Sequence, residues 1–321
     1  MERRRFGRTG LEVPALIFGG GWVGGVLIHR GEEEARAALD LALEGGMDWI
    51  DTAALYGQGA SETVIGRWLA GRDGPRPSLS TKFQLQPGER DPAGAARASL
   101  EASFGRLGVD RVETVFLHNP VGGDGAKALS PREALAAADA MARLAEEGLF
   151  RASGMTALGD PTALAEVVDE GRFDAAQVYV NLLNPTAIRG RAPWNATDFD
   201  GLLARCAARD MGVMGIRVFA AGHIPNETRT GREIPITANS DDAAEARRAE
   251  VLRAALTPED GDAATAAIRF ALSIPEVSGV VVGLAELAHL EAALEAERRG
   301  PLPAARLEAL EAVWADPAFT A

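Results

Sequence analysis

Along most of the chain, short runs of consecutive apolar residues alternate with longer stretches whose apolar positions recur every three or four residues. The first pattern fits strands buried on both faces, and the second fits helices that bury one face, as expected where parallel strands are joined by crossover helices. The strand runs fall at residues 15–19, 48–52, 79–83, 112–118, 152–156, 175–180, 213–219 and 279–282, giving eight strand–helix pairs. Upstream, residues 3–6 and 11–14 flank the turn Gly7-Arg8-Thr9-Gly10 and predict a β-hairpin.

Capping residues before prolines mark helix starts at Asp91-Pro92, Ser130-Pro131, Asp160-Pro161 and Thr257-Pro258. A proline's missing N–H costs nothing in a first turn, where that donor would be unpaired anyway. Ser130 with Glu133 fits a capping box. Glu32, Glu33 and Glu34 suit the positive end of a helix dipole; Ala35, Leu39, Ala42 and Leu43 then share one face until Gly45 can end the helix. The one long irregular stretch runs over residues 221–240. Loops of that length in compact domains carry function or move, so it is counted with the site.

Eightfold alternation fits a closed (β/α)8 barrel, the TIM architecture, or a doubly wound sheet. Gly19-Gly20-Gly21-Trp22-Val23-Gly24 matches the G-x-G-x-x-G pattern and favours the sheet. That fingerprint, however, needs its helix to open within the glycines, and residues 25–31 intervene here. The expectation is therefore a single α/β barrel domain over 1–321, its floor closed by the hairpin. The glycines would let backbone pass close to a ligand at the mouth.

Composition narrows the function more than the fold. A formal charge of −13 disfavours nucleic acid and acidic membranes as partners, since no Lys/Arg cluster offsets it locally. The run Arg3-Arg4-Arg5 reads as a solvated strand end. Cys206 is the only cysteine, which excludes an intrachain disulfide and a multi-thiolate metal site. With no apolar leader and no long apolar span, the expected location is the cytoplasm.

Four polar residues end or follow successive strand runs: Asp51, Tyr56, Lys82 and His118. In a parallel barrel those ends share one rim, where catalytic residues gather. A phenol with a pKa near 10 exchanges protons poorly at neutrality, and a neighbouring ammonium makes such a hydroxyl a better acid. Lys82 supplies the ammonium, Asp51 the counter-charge that makes its burial tolerable, and His118 an imidazole able to orient a carbonyl.

The blocks Ile50-Asp51-Thr52-Ala53-x-x-Tyr56-Gly57, Ser61-Glu62-x-x-Ile65-Gly66, Ser80-Thr81-Lys82 and Leu117-His118-x-Pro120 resemble the signature segments of the aldo-keto reductases. The likeness continues in Gly148-Leu149-x-Arg151-x-x-Gly154 and Gln177-Val178-x-x-Asn181-Leu182-Leu183. It implies a (β/α)8 fold and metal-free interconversion of carbonyls and alcohols with NADP or NAD. Tyr56 would be the general acid/base, supported by Lys82 and Asp51, with His118 as carbonyl orienter.

The resemblance also implies cofactor contacts from Gly20 and Gly21, from Thr156 and Gln177 at the carboxamide, and from Ile216 at the nicotinamide face. Arg217, Val218, Phe219, Ala221 and Gly222 would run beside the pyrophosphate, and Gly283, Ala285, Glu286 and His289 would meet the adenosine side. Ala157, Glu286 and Ala293 depart from the family's usual residues. Glu286 would repel a 2′-phosphate and accept from ribose hydroxyls, weakening any NADPH preference, whereas Arg229 or Arg232 would restore a phosphate clamp. Trp22 and Asn119, and less strongly Trp194, are candidate substrate-pocket residues beside the rim, while Trp49, Trp68 and Trp314 read as core. The implied substrate is a small carbonyl compound or sugar. Two other readings remain open: an aldose 1-dehydrogenase working oxidatively with NAD, and a cofactor-sensing regulatory subunit of the same fold.

Overall fold

The computed structural model describes residues 1–191, 194, 197–225, 237 and 240–320. Two short strands, β1 (Arg3–Arg5) and β2 (Glu12–Pro14), pair antiparallel with Arg3 opposite Pro14. Eight further strands close a parallel barrel: β3 (Leu16–Gly19), β4 (Trp49–Asp51), β5 (Ser78–Phe83), β6 (Val112–Leu117), β7 (Phe150–Thr156), β8 (Ala175–Tyr179), β9 (Gly212–Ile216) and β10 (Gly279–Gly283), with β10 pairing back onto β3.

After the short α1 (Val26–His29), the chain crosses over through α2 (Glu32–Glu44), α3 (Ala60–Ala70), α4 (Pro92–Leu107), α5 (Pro131–Glu146) and α6 (Pro161–Glu170). Next come α7 (Thr186–Arg189), α8 (Leu202–Ala208), α9 (Asp242–Ala255), α10 (Ala263–Leu272) and α11 (Leu287–Arg299), then α12 (Ala304–Trp314) and α13 (Pro317–Thr320). Three expected caps hold: Asp91 accepts from Gly94 N, Asp160 accepts from Ala163 N, and Ser130 with Glu133 completes the capping box. Thr257-Pro258 does not start a helix. Thr257 donates through both its N–H and its hydroxyl to Asp260 in a turn, and Asp262 caps α10 instead, accepting from Thr265 N.

The hairpin's Phe6, Leu11 and Val13 pack against Ile17, Trp49, Phe116, Ala152, Ala175 and Met214 inside the barrel, so its lower half is filled with side chains. Phe6 lies so close to Gly212 that a Cβ there would meet the ring at 2.4 Å. Arg3 and Arg5 pair with Asp48 and Asp210, as solvated strand ends do. The wider core lies between the barrel's outer face and the helices.

Two details depart from the sequence reading. The seventh strand stops at Ile216, because Arg217 takes a left-handed φ of 59° that no strand accommodates. Two glycines of the G-x-G-x-x-G match, Gly19 and Gly24, serve close approach of the chain to itself. A Cβ on Gly19 would stand 2.8 Å from Val282 O, and one on Gly24 would stand 2.4 Å from Leu284 N. The beginning of the chain's first crossover is thereby packed onto the end of β10. No helix among the described residues is long and apolar enough to cross a membrane.

Candidate active site

Strand register brings the polar cluster together. Asp51 is level with Ser80 on the neighbouring strand, and Lys82 lies two residues further along β5, on the same face. Lys82 is in turn level with Phe116, which places His118 one inward-facing step beyond it at the end of β6. Tyr56 enters from the loop after β4, where its N–H donates to Ala53 O, and Gly57 at a φ of 59° turns the chain away. A side chain other than glycine would be strained there.

Lys82 is enclosed, donating from Nζ to Asp51 Oδ2 at 2.6 Å and to the carbonyl of Thr52 at 2.8 Å. Its ammonium lies 4.8 Å from the centre of the Tyr56 ring. Burial pulls the Lys82 pKa down, but the adjacent Asp51 carboxylate and the Tyr56 oxygen more than compensate, so it sits above the usual lysine value and the amine stays charged. The Tyr56 and His118 rings meet edge to face at 5.8 Å. His118 is driven the other way: burial, then the charges of Lys82 and Arg217, lower its pKa to about 3. At neutral pH it is a neutral imidazole with one N–H to donate.

Asp51 is held from behind by residues of mixed legibility. Its Oδ1 accepts from Ser80 Oγ at 2.7 Å and from Gln177 Nε2 at 2.8 Å, so both carboxylate oxygens are engaged. Gln177 Oε1 accepts from Thr156 at 3.4 Å. Thr156 and Gln177, expected at the nicotinamide carboxamide, therefore also brace the carboxylate. Ser80 belongs to the block Ser80-Thr81-Lys82, and the core residue Trp49 donates from Nε1 to that same serine at 3.2 Å. Behind β5, the buried Glu62 accepts from Thr81 and from Arg106. The block Ser61-Glu62 thus supports the strand that carries Lys82.

Asn119 has a different task from the one expected. It is fully buried; its Oδ1 accepts from Leu85 N, and its Nδ2 donates to the carbonyls of Leu85 and Lys127. That amide ties two rim loops together and has no donor left for a substrate. Trp194 is 7% exposed and packs edge-on against Phe319. Trp22, by contrast, is exposed at the rim beside His29, and Leu55 next to Tyr56 is exposed too; both are large apolar groups facing water.

Across the mouth, among the described residues, the end of β10 has room beside it. No atom of the described residues outside its chain neighbours lies within 4 Å of where a Cβ on Gly283 would stand, and a Cβ on Gly21 would stand 3.8 Å from the Tyr56 ring. No side chain caps the first turn of α11, which leaves N–H groups for an anion. These features fit an extended, phosphate-bearing ligand running from Tyr56 toward α11. Glu286 at the start of that helix pairs with Arg30 at 3.3 Å and lies 3.5 Å from His289. Its charge is therefore shared. Arg229 and Arg232 lie outside the described residues.

A closed parallel barrel with a titratable cluster at its carboxyl rim is the architecture of a barrel enzyme. The chain belongs to the Aldo/keto reductase family, a family of oxidoreductases, whose model matches residues 15–315. It is 29% identical over 242 residues to the D-threo-aldose 1-dehydrogenase of a Pseudomonas species, covering 67% of this chain and 68% of that one. Over 161 residues it is 30% identical to L-galactose dehydrogenase of Arabidopsis thaliana, 49% of each chain. Its backbone matches aldo-keto reductase AKR11C1 from Bacillus halodurans (holo form) with a TM-score of 0.74 over 98% of this chain and 96% of that one, at 22% identity, a likeness of fold.

Proposed function

We propose that the chain, acting as one barrel over residues 1–321, is an NAD(P)(H)-dependent oxidoreductase that interconverts a small aldehyde, ketone or sugar lactol with its alcohol or lactone. One observation carries the reading: an unbroken run of contacts from Gln177 through Asp51 to the charged Lys82 ends at the ring of Tyr56, beside a neutral His118. A bound nicotinamide supplies the hydride donor or acceptor at the carbonyl carbon. The Tyr56 hydroxyl passes its proton to the carbonyl oxygen in reduction and takes it back in oxidation. The neutral imidazole of His118 donates to the same oxygen and fixes its direction. Lys82 stabilises negative charge developing on the Tyr56 oxygen, and Asp51 keeps that amine charged and in place.

The dinucleotide would lie along Ile216, Val218, Phe219, Ala221 and Gly222, then Gly283, Ala285, Glu286 and His289, with Gly20 and Gly21 on the β3 side. Trp22 and Leu55 would form the apolar lip met by the substrate. Glu286 would accept from ribose hydroxyls while Arg30 holds its carboxylate, which favours NAD over NADP. A preference for NADPH of about a hundredfold in kcat/KM would overturn that assignment.

A second reading, oxidation of an aldose at C1, is favoured by the D-threo-aldose 1-dehydrogenase relative. In it Tyr56, deprotonated, would take the O1–H proton of the lactol, a bound oxidised nicotinamide would supply the acceptor for the C1 hydride, and the sugar would leave as a lactone. Following nicotinamide absorbance across aldoses with NAD or NADP, and across aldehydes and ketones with NADH or NADPH, separates the directions. The Tyr56→Phe variant should lose about 10²–10⁴ in kcat and still bind dinucleotide. Substantial turnover by that variant would remove Tyr56 from its role. Slow turnover by the unmodified chain on every compound, with tight dinucleotide retention, would instead favour a cofactor-sensing subunit.

A further inference from the structure

Gln177 points into the barrel, since it donates to Asp51. Strand alternation therefore puts Tyr179, two residues further along β8, on the same inner face and nearer the open end. Tyr179 is 4% exposed and meets Phe199 edge-on at 5.3 Å. In register it is level with Ile216, the last residue of β9. Arg217 follows at once in its left-handed turn, which sets its guanidinium 6.0 Å from the centre of the Tyr179 ring. That is within reach of a cation–π contact. Ala220 and Ala221 are left-handed as well, so costly backbone conformations cluster in this one segment.

The guanidinium has no carboxylate within 4.0 Å among the described residues, whereas Lys82 pairs with Asp51, Arg248 with Glu245 and Arg306 with Asp260. Its charge is felt at the neighbouring groups. After burial and Lys82, Arg217 is the third influence lowering His118. Burial pushes the Tyr179 hydroxyl up, Arg217 pulls it down, and Tyr56 pushes it up again. Arg217, Tyr179, Tyr56 and His118 thus surround one mouth. The guanidinium reaches a ring on β8, whereas Gly283, beside which the dinucleotide phosphates are proposed to lie, is on β10 at the other edge of β9.

We propose that Arg217, braced on the ring of Tyr179, binds the carboxylate of an anionic carbonyl substrate and so determines the substrate class. The inference rests on the oxidoreductase reading above and adds a charge requirement to it. A guanidinium fork matches a carboxylate through paired N–H donors, and binding one there would fix the reacting carbonyl relative to Tyr56 and His118.

Three measurements test this on the full chain, using Arg217→Met, Arg217→Lys and Tyr179→Phe. The first is the ratio of kcat/KM for 4-carboxybenzaldehyde to that for benzaldehyde. The second is the Kd of benzoate, read from tryptophan fluorescence with and without dinucleotide. The third is the Kd of the dinucleotide itself. The unmodified chain should favour the carboxylated aldehyde, and Arg217→Met should lower that ratio and weaken benzoate by about tenfold or more. Arg217→Lys should recover part of the loss, as a point charge without the fork does. Tyr179→Phe should lie between it and the unmodified chain. An unchanged ratio and unchanged benzoate Kd would overturn the proposal, and a weakened dinucleotide Kd alongside them would assign Arg217 to the cofactor pyrophosphate. If no carbonyl is turned over, the benzoate arm alone decides, and the oxidoreductase reading fails separately.

Discussion

The two sides of the barrel mouth are built on opposite principles. On the β4–β6 side, Asp51 receives hydrogen bonds from Lys82, Ser80 and Gln177, Lys82 also donates to Thr52, and Asn119 locks two loops with three hydrogen bonds. On the β9–β10 side, the backbone bends through left-handed residues and, among the described residues, Arg217 stands without a carboxylate and Gly283 has no neighbour where a Cβ would go. The first side holds its polar groups in place before any ligand arrives, as proton chemistry at a fixed distance requires. The second leaves donors and room for whatever binds.

The contrast can be tested by removing support from each side in turn. Lys82→Met should be the most damaging, because it strands the Asp51 carboxylate in the interior. Breaking a buried pair on one side costs about 3–5 kcal/mol, which denaturant unfolding would register. A loss below about 1 kcal/mol would mean that water reaches Asp51 and that the pair is not sealed. Asn119→Ala should cost about 1–3 kcal/mol by orphaning the backbone groups of Leu85 and Lys127. A similar loss of benzaldehyde binding with no loss of stability would return Asn119 to the substrate pocket.

His118 gives a test through pH. Its ring protonates near 6.5 when unfolded and near 3 when folded, so between those values the unfolded chain holds more protons and stability declines as the pH falls. His118→Asn should flatten that decline in Tm between pH 6.5 and pH 4 relative to the unmodified chain, and the unmodified chain's kcat should show no limb near pH 6.5. Parallel Tm curves would show that the imidazole is not held neutral. The smallest stability effect belongs to the open side. Gly283→Ala should change unfolding free energy by no more than about 0.5 kcal/mol, since none of the described residues stands where the methyl would go. It should nevertheless weaken dinucleotide binding several-fold; an unchanged Kd would move the proposed groove away from β10.

Much of this was legible in the chain itself. Period and capping carry the eight strand–helix units, because apolar runs between polar turns have few other ways to bury themselves. The blocks around Asp51, Tyr56, Lys82 and His118 carry the polar cluster, because strand ends in a parallel barrel share one rim. Three things needed the third dimension. Asn119 looked like a pocket residue from its position, yet its partners Leu85 and Lys127 come from loops that only folding brings alongside it. The glycines at 19 and 24 read as room for a ligand at the barrel mouth, yet what they make room for is the backbone at Val282 and Leu284, far away in sequence. Arg217 read as a residue inside the seventh strand, yet a left-handed φ ends β9 before it and sets the guanidinium 6.0 Å from the centre of the Tyr179 ring. Local pattern determines which elements form, since periodicity and caps act within a few residues. The partner that each polar group finds across the barrel is decided by register and close approach, which no local pattern encodes.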